Sequence, residues 1–138
     1  DRLESGTPNT PGIVGLLAGV EFILQTGREN IRHHEQELTK MLLDGLQEIK
    51  GIKIYGPHDS KRQTAVVAFN IDDVDCGELS MQLDYQYGIV TRSGLHCAPL
   101  SHQTIGTLGS GSCRLSPGYF TTKEEIETVI RAVNDISK

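Results

Sequence analysis

The chain has 138 residues, a formal net charge of −5 and three cysteines, a size that fits one compact domain of about 100–150 residues. The 18 acidic residues are spread along the chain, which argues against nucleic acid as a partner. No apolar run approaches the ~20 residues of a membrane helix, and the start DRLESGTPNTPG lacks a signal-peptide pattern, so neither a membrane span nor secretion is expected. The odd cysteine count disfavours a disulfide framework and favours a reducing, cytoplasmic compartment.

The first part of the chain is predicted to form two helices followed by two strands. Thr10 before Pro11 is a typical helix start, and Gly27 is a typical stop. Apolar residues run almost all the way around this first helix, a pattern expected of a helix covered on every side. The next helix is amphipathic, with charges on its outer face. We expect helices over about 11–26 and 30–49 and strands at 52–56 and 64–71.

The second part is predicted to alternate short strands and helices around one long loop. Asp75 is a typical helix N-cap, and Gly88 is a typical C-terminal stop. Thr121 or Thr122 begins the last helix. We expect a helix over 76–87, strands at 89–92 and 112–116, a loop from 93 to about 111, and a final amphipathic helix. The predicted fold class is α+β, with helices packed on one face of a small mixed β-sheet.

Cys97 lies in the predicted loop, within the segment RSGLHCAPL. A thiol becomes a useful nucleophile when nearby positive charge or a histidine raises its thiolate fraction. Arg92 and His96 supply both residue types. A free cysteine is also often buried as a small apolar residue, so the residues alone leave a nucleophilic and a structural role open for Cys97.

A zinc site is a third interpretation of this region. His96, Cys97, His102 and Cys113 offer four nitrogen or sulfur ligands of the kind that zinc binds. Their spacing argues against it, because the chain has neither a C-x-x-C pair nor an H-x-x-x-H pair. No metal cofactor is therefore expected, and Cys76 and Cys113 are predicted to pack as small core residues.

Two further features are of the kind found in anion-binding sites. Arg114 stands in an otherwise small or apolar strand, and its guanidinium is shaped to bind a carboxylate or phosphate. A structural salt bridge is the alternative. The stretch GTLGSGS at 106–112 offers backbone N–H groups and hydroxyls that can surround an anion. It lacks the lysine and the following helix of a P-loop, which favours a flexible loop.

Three stretches, in order along the chain, resemble the C-terminal part of a cysteine desulfurase of the class V aminotransferase family. They are RLESGTPNTPGIVGL, YGIVTRSGLHCAPL and GTLGSGSCRLSPGYFTTKEEIE. The resemblance runs from about Arg2 to Lys138. Around Cys97 it is greatest for desulfurases with a short cysteine loop, a group that includes sulfur-mobilisation enzymes and selenocysteine lyase-like proteins. It implies that residues 1–138 form the small C-terminal domain of a fold-type I enzyme that uses pyridoxal phosphate.

The resemblance also implies a chemistry and a set of residues. The family binds pyridoxal 5′-phosphate at the interface of a homodimer and removes sulfur from free L-cysteine, leaving L-alanine. Cys97 would form the persulfide, Arg114 would bind the substrate carboxylate, and Thr7 would reach the cofactor phosphate of the opposite subunit. Arg92 and His96 match positions that flank the nucleophile. A cytoplasmic enzyme that passes its sulfur to an acceptor protein, as in iron–sulfur cluster assembly, is expected.

The chain departs from the family pattern in two places. Many relatives have two histidines before the cysteine where this chain has Leu95 and His96, so one proton-transfer group is missing. The family's Schiff-base lysine follows a serine and a histidine, and no lysine here has those neighbours. That lysine belongs to the large N-terminal domain, so the chain alone is expected to be inactive. A selenocysteine lyase, an epimerase, a transaminase and a non-catalytic interaction module stay open as alternatives.

Overall fold

The computed structural model describes residues 5–138, and the chain divides into two compact units, Asp1–His33 and His34–Lys138. The elements in chain order are α1 (Thr10–Thr26), α2 (Arg28–Gln47), β1 (Ile52–Tyr55), β2 (Val67–Ile71), α3 (Cys76–Tyr87), β3 (Arg92–Gly94), α4 (Pro99–Ile105), β4 (Ser112–Leu115) and α5 (Lys123–Ile136).

Helix α1 is the main element of the first unit, and its predicted position is confirmed. Asn9, rather than Thr10, caps the helix: its side chain accepts a hydrogen bond from the backbone N–H of Gly12 at 3.2 Å. The apolar residues that were expected to be covered on every side are exposed instead, and α1 has no buried residue. The large apolar side chains, between 37% and 75% exposed, are Ile13, Val14, Leu16, Leu17, Val20, Phe22, Ile23 and Leu24.

The second unit contains a four-stranded sheet in the order β1-β2-β4-β3. All three strand pairs are antiparallel, so the α+β class is confirmed but the expected mixed sheet was wrong. Strand direction depends on how each strand connects to its neighbour, which composition does not reveal. The 56–66 connection returns the chain beside β1 as a hairpin, and α4 returns it from β3 to β4.

One face of the sheet carries the core. Because side chains alternate across a strand, Val67, Phe69 and Ile71 all point to the same face, and each is buried. Cys113 and Leu115 of β4 lie on this face too, since Phe69 pairs with Cys113. Helices α2, α3 and α5 cover it with Leu38, Leu42, Leu43, Leu46, Leu79, Leu83, Ile126, Ala132 and Val133.

The structure moves two predicted boundaries around the candidate nucleophile. Helix α3 has the predicted Asp75 cap and Gly88 stop, but the N–H of Ile89 still bonds the carbonyl of Leu83 at 3.0 Å. The strand expected at 89–92 therefore starts at Arg92 instead. The expected loop over 93–111 was also wrong, because β3 and α4 occupy much of it.

No single helix in residues 5–138 is long and apolar enough to cross a bilayer, although α1 and α2 pass that test when taken together as a bent pair, by length and composition alone.

Candidate active site

Two arginines lie side by side on the face of the sheet opposite the core. Arg114 alternates with the buried Cys113 and Leu115, and it pairs directly with Arg92 of β3 and with Ala68 of β2. Like charges directly opposite each other destabilise a sheet. Among the described residues neither arginine makes a salt bridge, and the Arg114 Nε is buried without a hydrogen-bond partner. The pair thus offers guanidinium donors of the kind that bind a carboxylate or phosphate.

Cys97 is presented by a tight turn that follows β3. The N–H of Ala98 donates to the carbonyl of Leu95 at 2.8 Å, and the two central residues, His96 and Cys97, have φ of 53° and 60°. These are the φ signs of a type I′ turn, which residues other than Gly, Asn and Asp adopt at a cost. Strained backbone of this kind is concentrated at functional sites.

The thiol of Cys97 is exposed and sits beside a cation. Cys97 is a free, exposed cysteine, which excludes the structural interpretation of a buried small residue within this structure. The Arg92 Nη2 donates a hydrogen bond to its Sγ at 3.3 Å. This contact places a positively charged hydrogen-bond donor directly beside the sulfur.

Two glycines hold the strand that leads into this turn close to β4. A Cβ on Gly111 would lie 2.7 Å from the Cα of Gly94, and Gly111 has a φ of 66°. Only glycine fits such a close approach of two backbones without a shift. The contact fixes the end of β3, and so the distance from β4 to the turn that bears Cys97.

The His96 ring lies within range of the charges of both arginines. Burial, followed by the charges of Arg114, His102 and Arg92, lowers the pKa of His96. The ring packs edge-to-face on His102, with centroids 5.4 Å apart and planes at 87°. His102 is buried, and its Nδ1 shares a hydrogen bond of 2.7 Å with the Oγ1 of buried Thr107.

The other two cysteines lie in a different environment. Cys76 and Cys113 are both buried, as predicted. The Sγ of Cys76 donates to the carbonyl of Ser110 at 3.1 Å, and the Sγ of Cys113 donates to the Oγ1 of Thr91 at 3.4 Å. Burial raises the pKa of the Cys113 thiol, a rise that the Thr91 hydrogen bond only partly offsets. Both thiols are therefore unsuited to nucleophilic chemistry.

The four side chains weighed as zinc ligands do not form a metal site. Within residues 5–138, no three His, Cys, Asp or Glu side chains are placed to hold one ion. The reason lies in the sheet: Cys113 points into the core, whereas Cys97 is exposed beside Arg92 on the other face. His102 is engaged with Thr107.

Thr7, the residue expected to contact a cofactor phosphate, lies in the first unit. It is exposed, in the segment between Gly6 and the start of α1. Residues 2–4 of the RLESGTPN stretch lie outside the described residues.

Sequence reasoning missed α4 and the contact between His102 and Thr107. Pro99 at the first helical position and Gly106 at the C-cap were the available signals for α4. The hydrogen bond to Thr107 had no comparable signal, because it depends on the left-handed turn at Gly106 that brings the loop back onto the helix. Within the stretch 106–112, Thr107, Gly111 and Ser112 are buried, and the other four residues are exposed.

Comparison with known proteins gives a single family. Residues 1–129 match the profile of the family described as aminotransferase class-V. Among curated proteins, the chain is 37% identical to a probable cysteine desulfurase of Xylella fastidiosa (strain 9a5c), across 99% of this chain and 32% of that protein. It is 35% identical to a cysteine desulfurase of Pectobacterium carotovorum subsp. carotovorum (strain PC1), with the same coverage.

The same similarity appears among solved structures. The apo structure of a cysteine desulfurase from Thermococcus onnurineus NA1 superposes with a TM-score of 0.91 at 33% identity, covering 99% of this chain and 33% of that one. The chain therefore spans about a third of the length of these relatives.

Proposed function

The chain belongs to the class V aminotransferase family, and we propose that it is the small C-terminal domain of a pyridoxal phosphate-dependent cysteine desulfurase. Such an enzyme removes the sulfur of L-cysteine, leaves L-alanine and holds the sulfur as a persulfide on Cys97. The observation that carries the proposal is the exposed Cys97 thiol with the Arg92 Nη2 at 3.3 Å, beside the arginine pair on β3 and β4. Relatives named as cysteine desulfurases match almost the whole chain.

The residues of this chain fit part of what the cofactor needs. An exposed threonine hydroxyl is a good donor to a phosphate oxygen, and Thr7 is exposed beside Gly6, which has a φ of 95°. We propose that Thr7 contacts the cofactor phosphate, and that the lysine that binds the cofactor comes from the remainder of a longer protein. When bound, pyridoxal phosphate supplies an electron sink.

Arg114 would bind and orient the substrate. Its guanidinium can form two parallel hydrogen bonds with a carboxylate, and the buried, unpartnered Nε shows that this side chain has donor capacity to spare. Holding the carboxylate fixes the direction of the cysteine side chain. Orientation of this kind contributes several kcal/mol to a reaction between two bound groups.

Cys97 would then carry out the sulfur transfer. Its thiolate attacks the substrate sulfur, so that a sulfur–sulfur bond forms as the carbon–sulfur bond breaks. The electron pair of the broken bond would be left on the substrate carbon, and uptake of a proton there would give alanine, with the transferred sulfur held as the Cys97 persulfide. The bound cofactor would supply the electron sink for that pair. Arg92 would hold the sulfur in place during the attack, since its Nη2 already donates to Sγ.

The persulfide would leave from an exposed position. Cys97 is held between β3 and α4 by a turn of four residues, Leu95 to Ala98, so large movements of the sulfur require part of these elements to unfold. An acceptor protein that approaches the turn fits this arrangement better than a swinging loop. A homodimer, a cytoplasmic location and a role in iron–sulfur cluster assembly belong to the same proposal.

A direct test uses the full-length, cofactor-loaded protein with L-cysteine. We expect equal amounts of L-alanine and of reducible persulfide sulfur in the first turnover. Release of alanine from selenocysteine but not from cysteine would assign the same site to a selenocysteine lyase. Transfer of an amino group, or inversion without loss of sulfur, would contradict the proposal and favour a transaminase or an epimerase. Tight zinc binding with no reaction would favour a metal-binding module.

A further inference from the structure

Arg114 and two residues near it in the fold, Ser112 and His96, carry buried polar atoms without partners. Among the described residues, the His96 Nε2, the Ser112 Oγ and the Arg114 Nε are buried and have no hydrogen-bond partner. Ser112 precedes Arg114 by two residues on β4, so both side chains point to the same face of the sheet. Leaving a buried donor or acceptor without a hydrogen-bond partner is energetically unfavourable. Unpartnered polar atoms of this kind are groups that a bound polar ligand can satisfy.

The position of the His96 ring is set by its neighbours. Its edge-to-face contact with His102 restricts rotation, and His102 is itself held by the 2.7 Å hydrogen bond to Thr107. His102 and Thr107 are only 4% and 2% exposed, so this support is rigid. The orientation of the His96 ring is therefore set by His102, while its Nε2 is unpaired.

The surroundings of His96 favour an uncharged ring with one N–H. Burial and the positive charges of Arg114, His102 and Arg92 lower its pKa. A neutral imidazole has one donor and one acceptor nitrogen. As a donor, Nε2–H can serve an anion that is also bound by the guanidinium.

We propose that His96 is a second contact for the substrate carboxylate, donating from Nε2 to a carboxylate oxygen held by Arg114, and that His102 and Thr107 position its ring. This inference rests on the proposed function, because it takes the amino-acid substrate from there. His96 is thereby a substrate-contacting residue, and His102 is a positioning residue that acts through it.

The test separates the carboxylate from the rest of the ligand. In the full-length, cofactor-loaded protein, the affinity for L-alanine, which has a carboxylate but no thiol, is compared with that for ethylamine, which lacks the carboxylate. Binding is followed by the change in cofactor absorption. His96→Leu is expected to weaken L-alanine binding about tenfold, since a hydrogen bond to a charged group is lost. Ethylamine binding is expected to stay within about twofold.

A matched variant controls for folding. His96→Gln places an amide nitrogen near the position of Nε2, so it should recover most of the L-alanine affinity that His96→Leu loses. Unchanged L-alanine affinity in His96→Leu would overturn the proposal. So would equal weakening of ethylamine and L-alanine, or a glutamine variant no better than the leucine variant.

The positioning role has its own readout. His102→Phe keeps an aromatic ring but loses the hydrogen bond to Thr107, so it should raise the KM for L-cysteine and weaken L-alanine binding while leaving kcat nearly unchanged. His102→Asn, whose amide can reach Thr107, should recover the affinity. A fall in kcat alone would contradict positioning through His96. If the wild-type protein binds L-alanine in this His96-dependent way yet does not desulfurate cysteine, the proposed function fails while the carboxylate contact stands.

Discussion

Cys113 and Arg114 are neighbours in sequence but belong to opposite faces of one sheet. Cys113 points into a core covered by helices, where its thiol is fully buried and its pKa is raised. Arg114 points to the other face, beside Arg92, whose Nη2 donates to the exposed thiol of Cys97. The same residue type, cysteine, is thus a packing residue on one face and a candidate nucleophile on the other. The setting of each thiol, rather than its chemistry, decides its role.

The largest effect is expected on the polar face, at Cys97. Cys97→Ser in the full-length protein should abolish persulfide formation while L-cysteine still binds, because a hydroxyl is a far poorer nucleophile towards sulfur. Single-turnover persulfide measurement, with binding followed by cofactor absorption, separates the two steps. Cys113→Ala is the matched control and should still form persulfide. A serine variant that makes persulfide at the wild-type rate would show that Cys97 is a bystander.

Substitutions on the core face should instead lower the free energy of unfolding. Leu42 is 0% exposed, so Leu42→Ala should lower the free energy of unfolding by about 2–5 kcal/mol. Leu100, 77% exposed on α4, provides the control, and Leu100→Ala should change it by less than about 0.5 kcal/mol. Urea denaturation of the 138-residue chain measures both. Similar losses in the two variants would contradict the placement of the core.

Replacement of Arg114 should weaken the binding of L-cysteine without removing the reactivity of the Cys97 thiol. Arg114→Ala is expected to weaken L-cysteine binding by at least about tenfold, since each lost hydrogen bond to a charged group is worth about 1.5–3 kcal/mol. The Cys97 thiol should remain reactive to alkylating agents in this variant. Arg131→Ala, on the exposed surface of α5, is the control. Unchanged L-cysteine affinity after removal of Arg114 would remove it from the carboxylate site.

The smallest effect concerns the contact that joins the two strands of the site. Gly111→Ala should destabilise the chain by at least about 1–2 kcal/mol, the cost of a left-handed conformation for an alanine, because its φ is 66° and its Cβ would meet Gly94. Gly109→Ala meets no heavy atom within 4 Å and serves as the control. Equal unfolding midpoints for the two variants would show that the close approach is not required.

Local signals predicted most of the helices, and long-range pairing explains most of the errors. The Asp75 cap, the Gly88 stop and the Thr122 capping box with Glu125 are short-range features, and all three are present. The start of β3 was misplaced because Ile89 still terminates α3. The direction of the strands depends on pairings between residues far apart in sequence, such as Phe69 with Cys113.

The candidate site likewise has parts that local sequence signals revealed and parts that depend on long-range pairing. The segment around Cys97 and the strand with Arg114 were identified from the sequence, because they lie within continuous motifs. The cross-strand pairing of Arg92 with Arg114 follows from the register of β3 and β4. The support of His96 by His102 depends on α4, an element whose seven residues were too few for a clear periodic pattern.

The central claim is that Cys97, alone among the cysteines of this chain, receives the sulfur. The measurement is mass spectrometry of the full-length, cofactor-loaded protein after one turnover with L-cysteine, under conditions that preserve persulfides. The account predicts one added sulfur atom on the peptide that contains Cys97, and none on the peptides that contain Cys76 or Cys113. An added sulfur on either buried cysteine, or none on Cys97 while alanine is released, would contradict it.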